Sequence, residues 1–523
     1  MTERSTGIGI DLGTANSAIC RLDTSTGVYQ FAHAFDTAGE RDIPSAVFID
    51  TDGHWYFGET AEHRGQSVAE AGRVISNFKL LLRDNAPIEV PGVGAVDPVD
   101  LTRRFVGYLQ QCYESHFHEP CVRAVVTVPA NASFDADYRE RLQQALQGGP
   151  QGPLFESFAT LAEPDAVLMS MIDLSELHER TVLVFDMGGG TLDVTIRRVE
   201  MEGDRPILHH ASVVGSDAAG VQVTRALTDH LLDRWEQNGK FSFTKDERLA
   251  AHRVNHFSID TYKRHLSGLT RQGQGGLESA RPLNCRVNAV GRGEGHYSEN
   301  VPAKLLTDLS RPTCERAIET VENALREAGL IANDVDHYFV VGGSSRLPLM
   351  EKMLRDVFGG RGPSGQMGKY GHIDPLLAVS KGAAVDDFDR AEVAQGGGHV
   401  PSTIPILERR LPYAVSLVVD RTSLECLVQA GAALPFGPVS KTLYMPADDD
   451  NLDIIMMRGD GALEECVPMT HRTVYFDRRM RRGEELRVSW FVSDDGQVTV
   501  SIMGDDGQAV EAVTADRLEA PAA

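Results

Sequence analysis

The sequence predicts a mixed α/β region followed by an all-β domain, on three observations. Up to about residue 385, short β-rich runs alternate with amphipathic segments. A stretch of low apolar density carrying Gly396-Gly397-Gly398 then interrupts the chain, and beyond it strand-like runs dominate. With 523 residues the chain exceeds what one hydrophobic core serves, so two or three domains are expected.

In the α/β region two helices are legible. After Ser310-Arg311-Pro312, apolar Cys314, Ile318, Val321, Leu325 and Ala328 recur at helical spacing, and Gly329 supplies a stop. A second runs from about Leu347 through Met350, Leu354 and Val357 until Gly359-Gly360. Residues from Asp386 to about Thr403 read as a flexible linker. The strand-like runs of the last part are 413–419, 452–457, 473–476, 486–492 and 498–502, the final two flanking the hairpin signal Asp494-Asp495-Gly496. Glycine clusters at 273–276 and 359–371 read as surface loops, and Asp448-Asp449-Asp450 as a solvated loop.

Composition narrows the function. The chain is 42% hydrophobic and 24% charged, and no apolar run approaches the roughly 20 residues of a membrane span. The first residues pass directly into the strand-like Ile8-Gly9-Ile10, with no secretory leader pattern. A net charge of −24 argues against a phosphate-backbone binder of nucleic acid. The seven cysteines are scattered and form no C-x-x-C pair, so a disulfide framework or zinc site is not expected, and a reducing cytoplasm fits best. His252 and His256 have chelating i, i+4 spacing but lack a third ligand nearby.

Two turns carry the chemistry. One is Asp11-Leu12-Gly13-Thr14-Ala15-Asn16-Ser17, preceded by Ile8-Gly9-Ile10; the other is Asp186-Met187-Gly188-Gly189-Gly190-Thr191-Leu192-Asp193, preceded by Val182-Leu183-Val184-Phe185. Each is an apolar strand, Asp-x-Gly, a threonine and another apolar strand. Such a hairpin tip directs backbone N–H groups at an anion, and glycine permits close approach of a phosphate. Asp11 and Asp186 at the strand ends are placed to hold the water shell of Mg²⁺. Either turn alone is equally explained as a plain hairpin; two copies 175 positions apart favour phosphate binding. A third element, His337 through Pro348, joins a strand to a helix through Gly342-Gly343-Ser344-Ser345-Arg346, where a flat base can approach the backbone and Arg346 can stack on it.

With these motifs in place, residues 7 to about 385 resemble the heat-shock protein 70 kDa (DnaK-type) chaperones, in a divergent and lidless form. The resemblance implies an actin-like ATPase fold with two ribonuclease H-like lobes, residues 1–185 and 186–385, then a linker 386–405 and a β-sandwich 406–523. It implies ATP/ADP and Mg²⁺ as cofactors and ATP hydrolysis as the activity. Gly13, Thr14, Ala15, Gly188, Gly189, Gly190 and Thr191 match the family's phosphate loops, and Gly342, Gly343, Ser344 and Arg346 its adenosine turn. Asp260, Lys263, Arg264 and Ser267 match its adenine-clasping helix and fall on one face at i, i+3, i+4 and i+7. Asn77-Phe78-Lys79-Leu80-Leu81 looks like the segment of the catalytic lysine, Pro129 like the switch proline with Arg139 as its partner, and Glu163 like the acid that reaches metal-bound water. The catalytic set so implied is Lys79, Glu163, Asp186 and Thr191, with Asp11 and Asp186 at the metal. Without the resemblance, Lys79 would read as a solvated surface lysine and Glu163 as a helix N-terminal acid.

The departures are specific. Ala15 stands where the family has a second threonine, Gly220-Val221-Gln222-Val223 lacks two acids and a glycine, Asp260 is a methylene shorter than the usual glutamate, and Leu376 replaces an aspartate. Ile404-Pro405-Ile406-Leu407-Glu408 only loosely echoes the family's acidic-leucine linker, and the β tail aligns best around Leu434-Pro435. The implied partners are an extended apolar peptide or unfolded protein client, with a nucleotide exchange factor or J-domain cochaperone. The alternatives are a nucleotide-gated protein that binds one folded partner, and a sugar or glycerol kinase of the same fold, for which no sugar site is evident.

Overall fold

The computed structural model describes residues 6–23, 26–34, 42–66, 72–130, 134, 136–149, 152–170, 177–202, 205–272, 282–288, 295–364, 377–394, 406–407, 414–418, 424–429, 432, 436–459, 466–492, 498–503 and 509–515. The expected loop at 273–276, Leu376, the triglycine at 396–398, Leu434-Pro435 and the hairpin tip 494–496 lie outside the described residues. The chain divides into two units, one of residues 1–134, 138–206 and 211–405, the other of 135–137, 207–210 and 406–523.

In the first unit, two sheets grow from hairpins. Strands β1 (Thr6–Asp11) and β2 (Asn16–Asp23) pair antiparallel with Asp11 opposite Ala18, so the first Asp-x-Gly turn is a hairpin tip. With β3 (Val28–Phe31), β4 (Arg123–Val128) and β5 (Ser157–Ala162) the order is β5-β4-β1-β2-β3, β1 running parallel to β4. Strands β6 (Arg180–Met187) and β7 (Leu192–Glu202) make the second hairpin, Met187 opposite Leu192. Strand β8 (His337–Val341) lies parallel on the other side of β6. The near-continuous burial of β1 and β6 is that of strands covered on both faces. The expected division at 185/186 falls inside β6, between Phe185 and Asp186.

Both helices predicted from apolar spacing are present, with two corrections. Helix α1 (Phe78–Asp84) follows Asn77, and α2 (Glu163–Met169) follows β5 directly. Helices α3 (Gly220–Gly239), α4 (Lys245–Gln272), α5 (Ala303–Glu327) and α6 (Pro348–Val357) belong to the second half of this unit. The start expected after Pro312 is wrong: α5 begins at Ala303 and runs through Pro312. Buried Ala303, Leu306 and Ser310 continue the stripe of Cys314 and Ala317, and their packing outweighs the hydrogen bond that proline removes.

The second correction concerns residues 386–394, expected in a linker. They form the C-terminal half of α7 (Ala378–Ala394), which packs on the first sheet. Ile8 N donates to Asp387 Oδ2 at 2.9 Å, and Cys20 Sγ to the Ser380 carbonyl at 3.2 Å. Small residues let α7 approach closely; a Cβ on Gly382 would stand 1.6 Å from the Ala166 carbonyl oxygen of α2. Gly382→Ala must push α7 off α2, and a loss of about 3 kcal/mol is expected in denaturant unfolding of the first unit.

In the second unit, strands β9 (Val415–Val418), β10 (Leu424–Val428), β12 (Asp449–Arg458) and β13 (Val467–Met480) form a sheet of order β10-β9-β12-β13. Strands β11 (Phe436–Tyr444), β14 (Glu485–Val492), β15 (Val498–Met503) and β16 (Ala509–Ala515) form another of order β11-β14-β15-β16. Val415, Leu417, Met456 and Val474 of one share a core with Val488, Trp490, Val500 and Val513 of the other. Asp449 and Asp450 are exposed as expected, but they open β12 and are not a loop.

Candidate functional site

The three glycine turns meet at one cleft of about 350 Å³ in the first unit. Its walls carry Asp11, Gly13, Thr14, Ala15, Lys79 and Glu163 from one side of the sequence, and Asp186, Gly188, Gly189 and Thr191 from the second hairpin. They also carry Asp260, Lys263, Arg264 and Ser267 of α4, and Gly342, Gly343, Ser344 and Arg346. Of the residues predicted for the site, Gly190 alone is not on this wall. It lies behind, where an added Cβ would be 2.6 Å from the Thr14 side chain. A Cβ on Gly189 would be 2.9 Å from that of Ala15, so the two hairpin tips pack directly on each other and only glycine fits.

Each tip is fixed by backbone partners. Ser45 N donates to the Ala15 carbonyl at 2.8 Å and Ser45 Oγ to that of Gly13 at 2.7 Å. Gly220 N and Val221 N, at the start of α3, donate to the carbonyls of Gly188 and Gly189 at 3.2 and 2.7 Å. Gln222 caps this helix, its Oε1 accepting from Ala219 N at 3.2 Å, while Val221 puts an apolar side chain in the cleft wall. Gly342 has φ 80°, and a Cβ there would meet the Met187 carbonyl at 2.4 Å and Asp186 Oδ1 at 2.6 Å. Gly342→Ala combines left-handed strain of about 1–3 kcal/mol with a clash against the second tip. Its expected result is a lowered melting temperature together with lost nucleotide binding.

Lys79 is 1% exposed, which rules out the surface reading. Asn77, at φ 54°, turns the chain into α1 and sends Lys79 inward, where Nζ pairs with Glu163 and lies 5.9 Å from the centre of the Phe134 ring. Glu163 is both the first residue of α2 and buried. Burial alone would lower the Lys79 pKa, but Glu163, Tyr138 and Asp11 outweigh it and hold the ammonium charged. Burial, with Glu163 beside it, pushes the Asp11 carboxyl up to about 7 against the pull of Lys79 and a 3.4 Å hydrogen bond from Thr127 Oγ1. Burial, Glu163 and Asp11 raise Asp186 well above the usual carboxylate range. Three acids facing one lysine leave a buried deficit of positive charge, and a divalent cation answers it. Among the described residues these three acids do not gather within 4.8 Å of one another, as three direct ligands would. The donor set suits a cation that keeps its own waters, as Mg²⁺ does.

On α4 the predicted face is real. Lys263 Nζ donates to Thr224 Oγ1 at 3.0 Å and to the Gly220 carbonyl at 3.3 Å, and Asp260 Oδ2 accepts from Arg264 Nε at 3.2 Å. Lys263 and Arg264 overcome burial and hold Asp260 at about 2. The Ser267 hydroxyl donates back to the Lys263 carbonyl at 2.9 Å. His252 and His256 part company: His252 Nε2 lies 2.9 Å from Asp229 Oδ1, whereas His256 lines the cleft near Asn77. Burial lowers His256 to about 4, so it faces the cleft uncharged. Sequence reasoning missed Asn16, Asp42, Asn77 and His256 as wall residues. His256 was within reach, one turn before Asp260 on the same face.

The family model described as Hsp70 protein matches residues 82–401, more than half of the chain. The Asp11 turn and Lys79 precede the matched stretch and are tied to it by the cleft itself. Among curated relatives, a "Chaperone protein DnaK" of Endomicrobium trichonymphae is 29% identical over 378 residues, 72% of this chain and 56% of that protein. The "Chaperone protein DnaK" of Halobacterium salinarum is 27% identical over 459 residues, 87% of this chain and 65% of that protein, in each of two strains. The chain thus spans between 56% and 65% of the length of these relatives.

Proposed function

This chain belongs to the Hsp70 protein family, and on that premise we propose that it binds ATP with Mg²⁺, hydrolyses it slowly and acts as a chaperone. In this reading the first unit is a two-lobed actin-like ATPase with ribonuclease H-like lobes. The unit from residue 406 is a β-sandwich whose hold on an extended apolar peptide or unfolded client follows the nucleotide state. A nucleotide exchange factor or J-domain cochaperone belongs to the same proposal. The observation that carries it is the buried Lys79–Glu163 pair set between two acid-tipped glycine turns. Among the described residues no helix is long and apolar enough to cross a membrane, and all seven cysteines are free thiols.

ATP and its Mg²⁺ supply the transferable γ-phosphoryl group and the metal charge that offsets it. Around them, Gly13–Ala15, Gly189 and Thr191 present backbone donors to the phosphates, and the Thr191 hydroxyl adds another, while Gly188 N closes the second tip on the Thr191 carbonyl. Asp11 and Asp186 hold the water shell of the cation. Lys79 counters negative charge at the reacting phosphate, held in place by Glu163. Asp186, on the same wall, is placed to take a proton from water at its carboxylate oxygen. Asp260, Lys263, Arg264, Ser267 and the Gly342–Arg346 turn enclose the base and ribose.

The test is single-turnover ATP hydrolysis with and without an extended apolar peptide. Stimulation of severalfold is expected. A flat rate, with ATP still bound, would favour the rival reading of a nucleotide-gated protein with one folded partner, for which the apolar Val221 in the cleft wall is the supporting observation. No binding of ATP at all would end both.

A further inference from the structure

We propose that Arg197, through its buried pairing with Asp165, is a positioning residue that holds the Lys79–Glu163 pair in register with the second hairpin. The inference rests on the nucleotide reading above. Asp165 follows Glu163 by two positions on α2, and Arg197 stands on β7, the strand that leaves the Gly188–Thr191 turn. Arg197 Nε donates to Asp165 Oδ1 at 3.0 Å, and Nη2 reaches the same oxygen. The two side chains are 3% and 9% exposed.

Stability does not account for this pair. Both charges have left water, and Arg197 Nη1 is buried with no hydrogen-bond partner among the described residues. An apolar pair of similar volume would hold the same surfaces at no loss, and often with a gain. What the guanidinium adds is direction, because its planar donors meet the carboxylate in a narrow range of orientations. That direction fixes α2, which follows a strand of the first sheet, against β7 of the second. Asp193, Thr195 and Arg197 alternate along β7 and share one face, all of them buried. A single strand face thus runs from the hairpin tip to the Asp165 contact. A shift of α2 along β7 would carry Glu163, and with it Lys79, away from the Gly188–Thr191 turn.

The test uses Asp165→Leu with Arg197→Met, which removes both charges together, and Arg197→Lys, which keeps the charge but not the fork. The first readout needs no nucleotide: the rate at which an amine-acylating reagent labels Lys79, read by mass spectrometry. A rise of about fivefold or more is expected in the double variant, since local opening exposes a lysine that is otherwise sealed. The second is single-turnover hydrolysis, expected to fall about tenfold to a hundredfold with ADP affinity unchanged, because misplacement acts on the reaction step. Arg197→Lys should lie between. Lys79 labelling within twofold of wild type in a double variant that melts normally would overturn the proposal. Should the double variant fail to fold, unchanged labelling and hydrolysis in Arg197→Lys would overturn it instead. Absence of hydrolysis in the wild type would refute the ATPase reading, yet Lys79 labelling would still decide this one.

Discussion

Lys79→Ala is expected to lower single-turnover ATP hydrolysis by about 100- to 1,000-fold while leaving ATP bound, the scale found when one preorganised charge donor is removed from a reacting centre. The reason is positional. Lys79 is the ammonium that the cleft buries against Glu163, and Asp11 and Asp186 stand on the same wall. Removing it also strands Glu163 among other acids, so the melting temperature should fall as well. The two effects can be separated. In Lys79→Met combined with Glu163→Gln neither charge is buried alone, and the melting temperature should recover while hydrolysis does not. Hydrolysis within threefold of wild type in a folded Lys79 variant would remove this residue from the mechanism.

How much of this was legible in the sequence depends on how local each cause is. The two hairpin tips and the Gly342 turn were readable because glycine, aspartate and apolar strands adjoin within ten residues and must form there. The face of α4 came from the family resemblance, and helical spacing then put Asp260, Lys263, Arg264 and Ser267 on one side. Burial of Lys79 was not, because it comes from Phe134, Tyr138 and Glu163, which the chain delivers from elsewhere. The Asp165–Arg197 contact was missed likewise: neither residue has a local pattern, and only the crossing of α2 over β7 joins them. Of the second unit's two four-stranded sheets, the missed strands are β10, β11 and β16, all at sheet edges. An edge strand buries less, so its apolar alternation fades, and Gly437-Pro438 within β11 weakened the signal further. The reading of 386–394 as linker failed because two of the residues this stretch buries are acids, Asp387 held by Ile8 N and Arg123 and Asp386 by Arg390, so its burial adds little to apolar density.

Magnesium affinity should depend steeply on pH, and the sign follows from the raised carboxyls. In the cation-free protein Asp11 titrates near 7 and Asp186 well above its usual range, whereas both release their protons near 3.8 in the unfolded chain. Between these values the folded chain binds more protons than the unfolded one, so these two groups make stability fall as pH rises from about 4 through about 7. Mg²⁺ requires the deprotonated acids, so its binding displaces those protons and reverses the trend. Below the folded pKa, apparent Mg²⁺ affinity should rise about tenfold per pH unit for each proton displaced. Calorimetric titration of Mg²⁺ at pH 5.5, 6.5 and 7.5 reads this directly, and the Mg²⁺-induced rise in melting temperature should be larger at 7.5 than at 5.5. Glu62, pushed to about 7 by burial, titrates in the same window, and its charged neighbours are Arg264, Asp260, Glu59 and His63. It therefore bends the overall stability curve, and the comparison must be made against Asp11→Asn. That variant keeps Glu62 and its neighbours but has one fewer acid to deprotonate, so its Mg²⁺ affinity should be weaker and its pH slope shallower. An Asp11→Asn slope equal to that of wild type would mean that Asp11 does not hold the cation's water shell, and the metal would have to be sought on Asp186 alone.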